Sequence, residues 1–219
     1  MLFKNWAKNL LFLLVYIFSG ISLITIIEGV MTGTELTPFN TAAEEVVRHF
    51  RTPFLTNFMV VVTNVGSPFF LSIAAIFLAI FIVLHKDTYD ALLYIVSMIL
   101  ALISFTLLKN LLHLPRPEGG LMHLLSWSFP SGHATAATAF FFATAYSFFD
   151  RFKSPLWKTV LVALSITGAG LVCFSRLYLG VHSALDILAG ISLGLLCVSF
   201  TVLVFNIFLE ERRSLRRRF

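Results

Sequence analysis

The chain has 219 residues, of which 58% are hydrophobic and only 12% are charged, and its formal net charge is +5. A soluble domain of this length could not bury so much apolar surface, whereas a lipid bilayer solvates such surface directly. The composition therefore excludes an ordinary soluble globular protein and predicts a membrane protein. Cys173 and Cys197 lie inside apolar runs without metal-ligand spacing, so we interpret them as small buried apolar side chains.

Six apolar runs are each long enough for a helix to cross about 30 Å of hydrocarbon. They cover residues 9–31, 68–84, 91–112, 133–149, 157–175 and 185–208. A shorter run, 54–65, cannot span and predicts a short helix that lies along the interface or dips into the bundle. The sequence thus predicts an all-α, six-helix transmembrane bundle, with a short interfacial helix after the first span, as a single domain over residues 1–219.

The distribution of basic residues predicts the orientation. Six spans place both termini on one side of the membrane, and eleven of the 16 Lys and Arg residues fall on that side. Five of them form a C-terminal tail directly after an apolar run: Arg212, Arg213, Arg216, Arg217 and Arg218. Because cytoplasmic segments are enriched in Lys and Arg, we expect both termini in the cytoplasm. The compact size and the short loops favour a bacterial inner membrane. The tail is expected to contact anionic lipid headgroups, and nucleic acid is not an expected partner.

Three short polar stretches fall between the apolar runs, and the six-span topology places all of them at the same outer face. In chain order they are residues 109–117 after the third span, 130–133 before the fourth, and 175–186 between the fifth and sixth. Although they are far apart in sequence, their side chains are expected to meet in one cavity. Three cations, two histidines and one carboxylate would line it: Lys109, Arg116, Arg176, His133, His182 and Asp186.

Such a cavity suits a tetrahedral oxyanion. Lys109, Arg116 and Arg176 supply positive charge, and the planar arginine forks match phosphate oxygens. Ser131 is predicted to cap the helix that follows it, and Gly132 lets the backbone approach a ligand closely. Free N–H groups at the positive end of that helix would then face the anion. These residues together predict a phosphate-binding site.

The two histidines predict covalent catalysis. His182 and Asp186 are four residues apart, so on a helix they would share a face. A carboxylate bonded to one imidazole nitrogen fixes the tautomer and stabilises the cation that forms when the other nitrogen attacks. His182 is therefore the predicted nucleophile, and His133 is the predicted acid that protonates the leaving alcohol. Water would then hydrolyse a phosphohistidine, and neither a metal ion nor another cofactor is required.

The three stretches resemble the signature motifs of the type 2 phosphatidic acid phosphatase superfamily: K-x6-R-P, P-S-G-H and S-R-x5-H-x3-D. All eleven specified letters are present in order, between Lys109 and Asp186. The resemblance implies a membrane phosphatase with His182 as nucleophile, His133 as acid and Asp186 as the partner of His182. It implies phosphate binding by five residues, Lys109, Arg116, Ser131, Gly132 and Arg176, with a supporting contact from Ser175.

The resemblance implies a lipid phosphate substrate at the outer leaflet, and phosphatidylglycerol phosphate, phosphatidic acid and undecaprenyl diphosphate all remain open. A vanadate-dependent haloperoxidase shares this anion site, but those relatives are soluble. A non-catalytic lipid-binding or lipid-transport protein of the same fold is the second alternative. Such a protein would be expected to lose the nucleophile or the acid, whereas His182, His133 and Asp186 are all present here. His113, His123 and Trp127 are further candidates near the substrate, and the sequence leaves the oligomeric state open.

Overall fold

The computed structural model describes residues 6–33, 36–85, 87–122 and 124–215, and within these ranges all regular structure is helical. The helices are α1 (Trp6–Thr32), α2 (Leu36–His49), α3 (Pro53–Val65), α4 (Pro68–Leu84), α5 (Thr88–Leu112), α6 (Gly132–Phe149), α7 (Pro155–Tyr178) and α8 (Ala184–Leu215). His123 and the tail residues Arg216, Arg217 and Arg218 lie outside the described residues, as do the side chains of Arg212 and Arg213. The prediction of an all-α fold is confirmed.

The number of membrane spans differs from the prediction. Among the described residues, four helices are long and apolar enough to cross a membrane, namely α1, α5, α7 and α8. Helices α3 and α4 are bent by 52° relative to each other, and counting them as one broken span raises the total to five. Helix α6 is not among them, because His133, three threonines, Tyr146 and Ser147 lower its mean hydropathy. The six-span count is therefore not confirmed, although each of the six predicted runs corresponds to a helix.

Two short helices connect α1 to α4. Helix α3 matches the predicted short run 54–65, and it starts with Thr52 as its cap, whose hydroxyl accepts from the backbone N–H of Leu55. Helix α2 was not predicted, because Pro38 and its charged residues are typical of a loop. The apolar spacing of Phe39, Ala43 and Val47 is the signal that could have revealed it.

Helix α6 lies at the centre of the bundle, packed against α4, α5, α7 and α8. Two glycines of α8 permit the closest of these approaches. A Cβ atom on Gly190 would lie 2.7 Å from the carbonyl oxygen of Ser131, and one on Gly194 would lie 2.8 Å from that of Thr135. Small residues in this spacing let membrane helices approach backbone to backbone. As a result, the N–H of Ser131 donates to the carbonyl of Asp186 at 3.0 Å, which joins the starts of α6 and α8.

The loop between α5 and α6 is tied to the turn between α7 and α8. The N–H of Leu121 donates to the carbonyl of Leu179 at 2.8 Å. Gly120 and Gly180 allow the two segments to touch, because a Cβ atom on Gly120 would lie 2.8 Å from the Gly180 carbonyl oxygen. Arg51, between α2 and α3, donates from Nε to the Tyr178 carbonyl at 3.0 Å. These contacts hold three connections together at one end of the bundle.

Candidate active site

His182 and Asp186 are in contact at this end of the bundle, but not through a shared helical face. His182 lies in the turn before α8, and its Nδ1 is 3.3 Å from Oδ2 of Asp186. Asp186 is held by a capping box: Oδ2 accepts from the N–H of Ser183 at 2.9 Å, while the N–H of Asp186 donates to the Ser183 hydroxyl at 3.2 Å. The predicted contact is therefore present, and the helix cap rather than the helix face produces it.

Ser128 is a member of the site that the sequence did not reveal. Its hydroxyl donates a short hydrogen bond to Oδ2 of Asp186 and lies 3.3 Å from Nδ1 of His182. The side chain is fully buried, with 1% of the residue exposed. Its only sequence signal is its position two residues before Pro130, which indicates no particular role. Ser128 and Asp186 together occupy the Nδ1 side of the imidazole.

Arg116 occupies the opposite side of the His182 ring. Its Nη1 donates to the carbonyl of Val181 at 2.6 Å and lies 3.2 Å from Nε2 of His182. Ser126 and Trp127 fix the remaining nitrogens: Nε donates to the Ser126 carbonyl at 2.8 Å, and Nη2 donates to the Ser126 hydroxyl at 2.9 Å and the Trp127 carbonyl at 3.2 Å. With Asp186 accepting the Nδ1 proton, Nε2 is the unprotonated nitrogen that accepts from Arg116.

Arg176 is almost completely buried, with 2% of the residue exposed. Its Nη1 donates to Oγ1 of Thr63 at 2.5 Å, a contact from α3 that the sequence did not predict. Its Nε has no hydrogen-bond partner within the described part of the chain. A buried guanidinium N–H without an acceptor is costly, so this group is suited to an anionic ligand. The hydroxyl of Ser175, by contrast, donates to the carbonyl of Val172 at 2.6 Å and is thus engaged with its own helix.

The start of α6 contributes the second predicted motif. Ser131 caps the helix, and its hydroxyl accepts from the N–H of Ala134 at 3.4 Å. A Cβ atom on Gly132 would lie 2.8 Å from the ring of Phe105, so the absence of a side chain also allows α5 to pack here. His133 follows in the first turn and is half-buried.

The predicted cations converge on His133. The charges of Arg176, Lys109 and Arg116 act on its imidazole. Lys109, in the last turn of α5, in turn interacts electrostatically with Arg116, Asp186 and Arg176. The structure therefore brings together the eight residues singled out from the sequence: His133, His182, Asp186, Lys109, Arg116, Ser131, Gly132 and Arg176.

Burial is the largest cause of the pKa shifts in the turn before α8 and in the loop between α5 and α6. It lowers the pKa of His182 to about 4, although the hydrogen bond and the charge of Asp186 act to raise it. It likewise lowers the pKa of Arg116, which the charge of Asp186 opposes. On α2, burial raises the pKa of Glu44; nearby Arg48 opposes this shift and Asp186 adds to it. His182 is therefore neutral at physiological pH, the form in which Nε2 can act as a nucleophile.

His113 and Trp127 lie at the rim of the site. His113 ends α5 in a left-handed conformation, with φ of 49°, and its ring centroid lies 4.9 Å from that of Trp127. Trp127 is exposed, so this pair borders the site from the side of the α5–α6 loop. His123, the third candidate near the substrate, lies outside the described residues. In the ranges that the structure covers, no group of three or more His, Cys, Asp or Glu residues could hold a metal ion.

Comparison with known proteins identifies the family of this chain. Residues 90–209 match the PAP2 superfamily. Phosphatidylglycerophosphatase B of Bacillus subtilis (strain 168) is 34% identical over 149 residues, which cover 67% of this chain and 73% of that protein. Human sphingosine-1-phosphate phosphatase 2 is 32% identical over 121 residues, or 52% of this chain, but the match spans only 30% of that longer protein.

Two solved structures share the fold. The crystal structure of a transmembrane PAP2-type phosphatidylglycerolphosphate phosphatase from Bacillus subtilis superposes with a TM-score of 0.73 at 26% identity, covering 91% of this chain and 96% of that one. LpxE of Aquifex aeolicus gives a TM-score of 0.61 at 24% identity, covering 75% of this chain and 94% of that one. With more than half of its length matched and four helices of the described residues long and apolar enough to cross a membrane, the chain belongs to the PAP2 superfamily and is a multi-pass membrane phosphatase.

Proposed function

We propose that the protein is a lipid phosphate phosphatase that works at the extracytoplasmic face of a bacterial membrane, through a phosphohistidine at Nε2 of His182. The arrangement around His182 carries this proposal. Nδ1 faces Oδ2 of Asp186 at 3.3 Å, while Nε2 faces Nη1 of Arg116 at 3.2 Å. One nitrogen is thus held by a carboxylate, and the other points to a cation that binds phosphate.

Phosphate binding rests on Lys109, Arg116 and Arg176, together with the start of α6. A phosphoryl group placed between Nε2 of His182 and the Arg116 guanidinium would accept the Nη1 hydrogen bond of Arg116 that Nε2 now accepts. The partnerless Nε of Arg176 provides a further donor. The N–H groups behind the Ser131 cap add the positive end of a helix dipole. Charge that develops on the phosphoryl oxygens is stabilised by these fixed donors.

The reaction proceeds in two displacements. Nε2 of His182 attacks phosphorus and forms an N–P bond, the bond from phosphorus to the lipid oxygen breaks, and His133 protonates that oxygen. Asp186 stabilises the positive charge on the imidazole. In the second step, His133 accepts a proton from water, whose oxygen attacks phosphorus. The N–P bond then breaks and inorganic phosphate is released. Protein side chains perform every proton transfer, so the proposed reaction is independent of metal.

The orientation follows from charges at the other end of the bundle. Lys8 near the start of α1 forms an ion pair with Asp150, and Arg151 pairs with Asp87 at 2.9 Å. Lys153 and Lys158 lie in the same region, around the start of α7. Because Lys and Arg favour the cytoplasmic side, these charges support a cytoplasmic location for this end and an extracytoplasmic location for the site.

Phosphatidylglycerol phosphate is the first substrate to test. The relatives described above are named for phosphatidylglycerophosphate and sphingosine-1-phosphate, which are both lipid phosphates. Phosphatidic acid and undecaprenyl diphosphate complete the panel. A site that opens at the membrane surface favours a substrate anchored in the same leaflet.

The deciding experiment measures phosphate release by the purified protein in detergent micelles after treatment with a chelator. We expect hydrolysis of at least one lipid of the panel, inhibition by vanadate, and a loss of about 10³-fold or more in His182→Asn. Brief incubation with ³²P-labelled lipid should leave an acid-labile, alkali-stable label on the protein that His182→Asn lacks. Full activity of His182→Asn would refute the nucleophile. Activity that disappears with the chelator and returns with added Mg²⁺ would refute the metal-independent reaction.

A further inference from the structure

Two apolar cavities lie along the α7–α8 side of the bundle, away from the polar site. The larger, about 430 Å³, is enclosed by α6, α7 and α8, and its walls include Phe141, Phe142, Ala169, Gly170, Ile191 and Leu195. The smaller, about 220 Å³, lies under α2 between α7 and α8, with Phe39, Ala43, Leu177 and Ile187 among its walls. Cys173 lines both cavities, so the two lie on either side of this residue.

The packing of the three helices explains why the space is open. Helices α7 and α8 each pack along α6, but they have little contact with each other. At Gly168, α7 approaches α6 so closely that a Cβ atom would lie 2.5 Å from the Phe141 ring. Two residues further on, a Cβ atom at Gly170 would meet nothing within 4 Å. The seam between α7 and α8 therefore stays unfilled on its lipid-facing side.

The cavities lie next to the residues that are predicted to bind phosphate. Ala169, Cys173 and Arg176 follow at spacings of four and three residues, so they share one face of α7. Arg176 lies only about 4.5 Å further along the helix axis than Cys173, at 1.5 Å per residue. On α8, Ile187 in the smaller cavity directly follows Asp186. The apolar space thus starts one helical turn below the cation that binds phosphate.

The depth of the space matches one leaflet. Val162 and Cys173, which both line the larger cavity, are eleven residues apart on α7, or about 16 Å along the axis. The hydrocarbon core of a bilayer is about 30 Å thick, so the cavity extends over roughly half of it. A more open pocket of about 490 Å³ adjoins it at Val162 and continues along α7 towards Lys158. A fatty acyl chain of the leaflet in which the site lies has this reach, whereas an undecaprenyl chain is several times longer.

Building on the proposed function, we infer that the two cavities form a single groove that binds one fatty acyl chain of a glycerophospholipid substrate, while its phosphate lies among Lys109, Arg116 and Arg176. Phe39 and Ala43 of α2 cover the chain near the headgroup. Inside a bilayer the chain gains little by leaving its lipid neighbours. The groove therefore selects by shape and by dispersion contacts with its walls.

Gly170→Phe tests the groove, because the new ring can enter the larger cavity without meeting an atom already present. Leu164→Phe is the matched control: Leu164 lies on the same helix and is 64% exposed. Both variants and the wild type are assayed in one detergent with dihexadecanoyl phosphatidic acid and with p-nitrophenyl phosphate, which has no chain. We expect Gly170→Phe to raise KM for the lipid about tenfold and to leave KM for p-nitrophenyl phosphate within about twofold of the wild-type value. The control Leu164→Phe should have the wild-type KM for both compounds.

Each other outcome has a defined meaning. If Gly170→Phe and the wild type have the same KM for the lipid, the groove is refuted while the phosphatase activity stands. If the wild type does not hydrolyse phosphatidic acid, the comparison is made with phosphatidylglycerol phosphate instead. If it hydrolyses no lipid of the panel, the proposed function fails and the inference fails with it, whereas hydrolysis of undecaprenyl diphosphate alone refutes the groove and leaves the phosphatase activity standing. Should Gly170→Phe lose both activities through misfolding, the wild type is photolabelled with phosphatidic acid carrying a diazirine in one acyl chain. Label within residues 162–173 and 191–195 supports the groove, and label confined to other helices or displaced by undecaprenyl phosphate refutes it.

Discussion

Ser128 donates its hydroxyl hydrogen to Oδ2 of Asp186, the same carboxylate oxygen that lies 3.3 Å from Nδ1 of His182. Both Ser128 and His182 are 1% exposed, so water does not substitute for this contact. The serine thereby sets the angle at which the carboxylate meets the imidazole.

Ser128→Ala should lower kcat and leave KM nearly unchanged, because the lost hydrogen bond orients His182, the proposed nucleophile, rather than the bound phosphate. A hydrogen bond to a charged group contributes about 1.5–3 kcal/mol, which corresponds to a loss of about 10–100-fold. Steady-state kinetics with the lipid of the panel that is hydrolysed best measure this loss in kcat. Ser192→Ala, which removes a buried serine bonded to Ser22 in another part of the bundle, is the control. An unchanged kcat in Ser128→Ala would show that Asp186 needs no second anchor.

Thr63→Val should raise KM by about tenfold, because Nη1 of Arg176 loses its acceptor at 2.5 Å and the guanidinium is no longer fixed for phosphate. Vanadate should also raise the melting temperature of the variant less than that of the wild type, which a purely structural role of Thr63 would not produce. Thr201→Val, at a buried threonine that bonds the Cys197 carbonyl of its own helix, is the matched control. Equal vanadate shifts in all three proteins would contradict the prediction.

The depressed pKa of His182 predicts how stability depends on pH. Its pKa falls from 6.5 to about 4 on folding because burial disfavours the cation. Between these values the unfolded chain binds more protons than the folded one, so stability rises with pH across this window. Above pH 6.5, His182 is neutral in both the folded and the unfolded chain and costs no stability. As the pH falls from 6.5 towards 4, protonation of His182 in the unfolded chain lowers the stability of the folded protein. The melting temperature of the wild type should therefore drop more steeply from pH 6.5 to 4 than that of His182→Asn, as measured by thermal unfolding in detergent. Parallel curves would argue that His182 titrates normally.

Gly190→Ala should destabilise the protein and reduce its activity. The added Cβ atom would lie 2.7 Å from the Ser131 carbonyl oxygen and 2.8 Å from Cβ of Ala134, so α8 must move away from α6. Overpacking of this kind costs about 1–3 kcal/mol. Gly20→Ala in α1 is the control, since its Cβ atom would meet Leu196 at an ordinary 3.4 Å. Thermal unfolding and phosphate release are measured on both, and a Gly190→Ala protein as stable as the control would show that the helices can separate without cost.

The charged members of the site could be predicted from the sequence, because ionic groups at the ends of apolar helices are costly and usually functional. Lys109, Arg116 and Arg176 stood out in this way, and the structure brings them together. The contact between His182 and Asp186 was also expected, but its origin was not. Only the structure shows that Ser183 caps α8 and turns the carboxylate back towards the histidine.

Two uncharged residues of the candidate active site could not be predicted from the sequence. Ser128 and Thr63 have no charge and no periodic spacing, and their positions depend on how a loop and a bent helix fold onto distant parts of the chain. The span count was uncertain for a related reason. Helix α6 is sheltered by its neighbours, with ten of its 18 residues buried, so its sequence did not need the apolarity of a helix that faces lipid.

The capping box of α8 bears on how a complex with intact substrate should be captured. Oδ2 of Asp186 accepts from the N–H of Ser183 and from the Ser128 hydroxyl as well as facing His182. Replacing this carboxylate to silence the enzyme would also loosen the first turn of α8 and, through the Ser131 contact, the start of α6. Replacing His182 removes the reactive nitrogen and leaves that scaffold intact. A dead enzyme for trapping a lipid is therefore better made at the histidine than at its acidic partner.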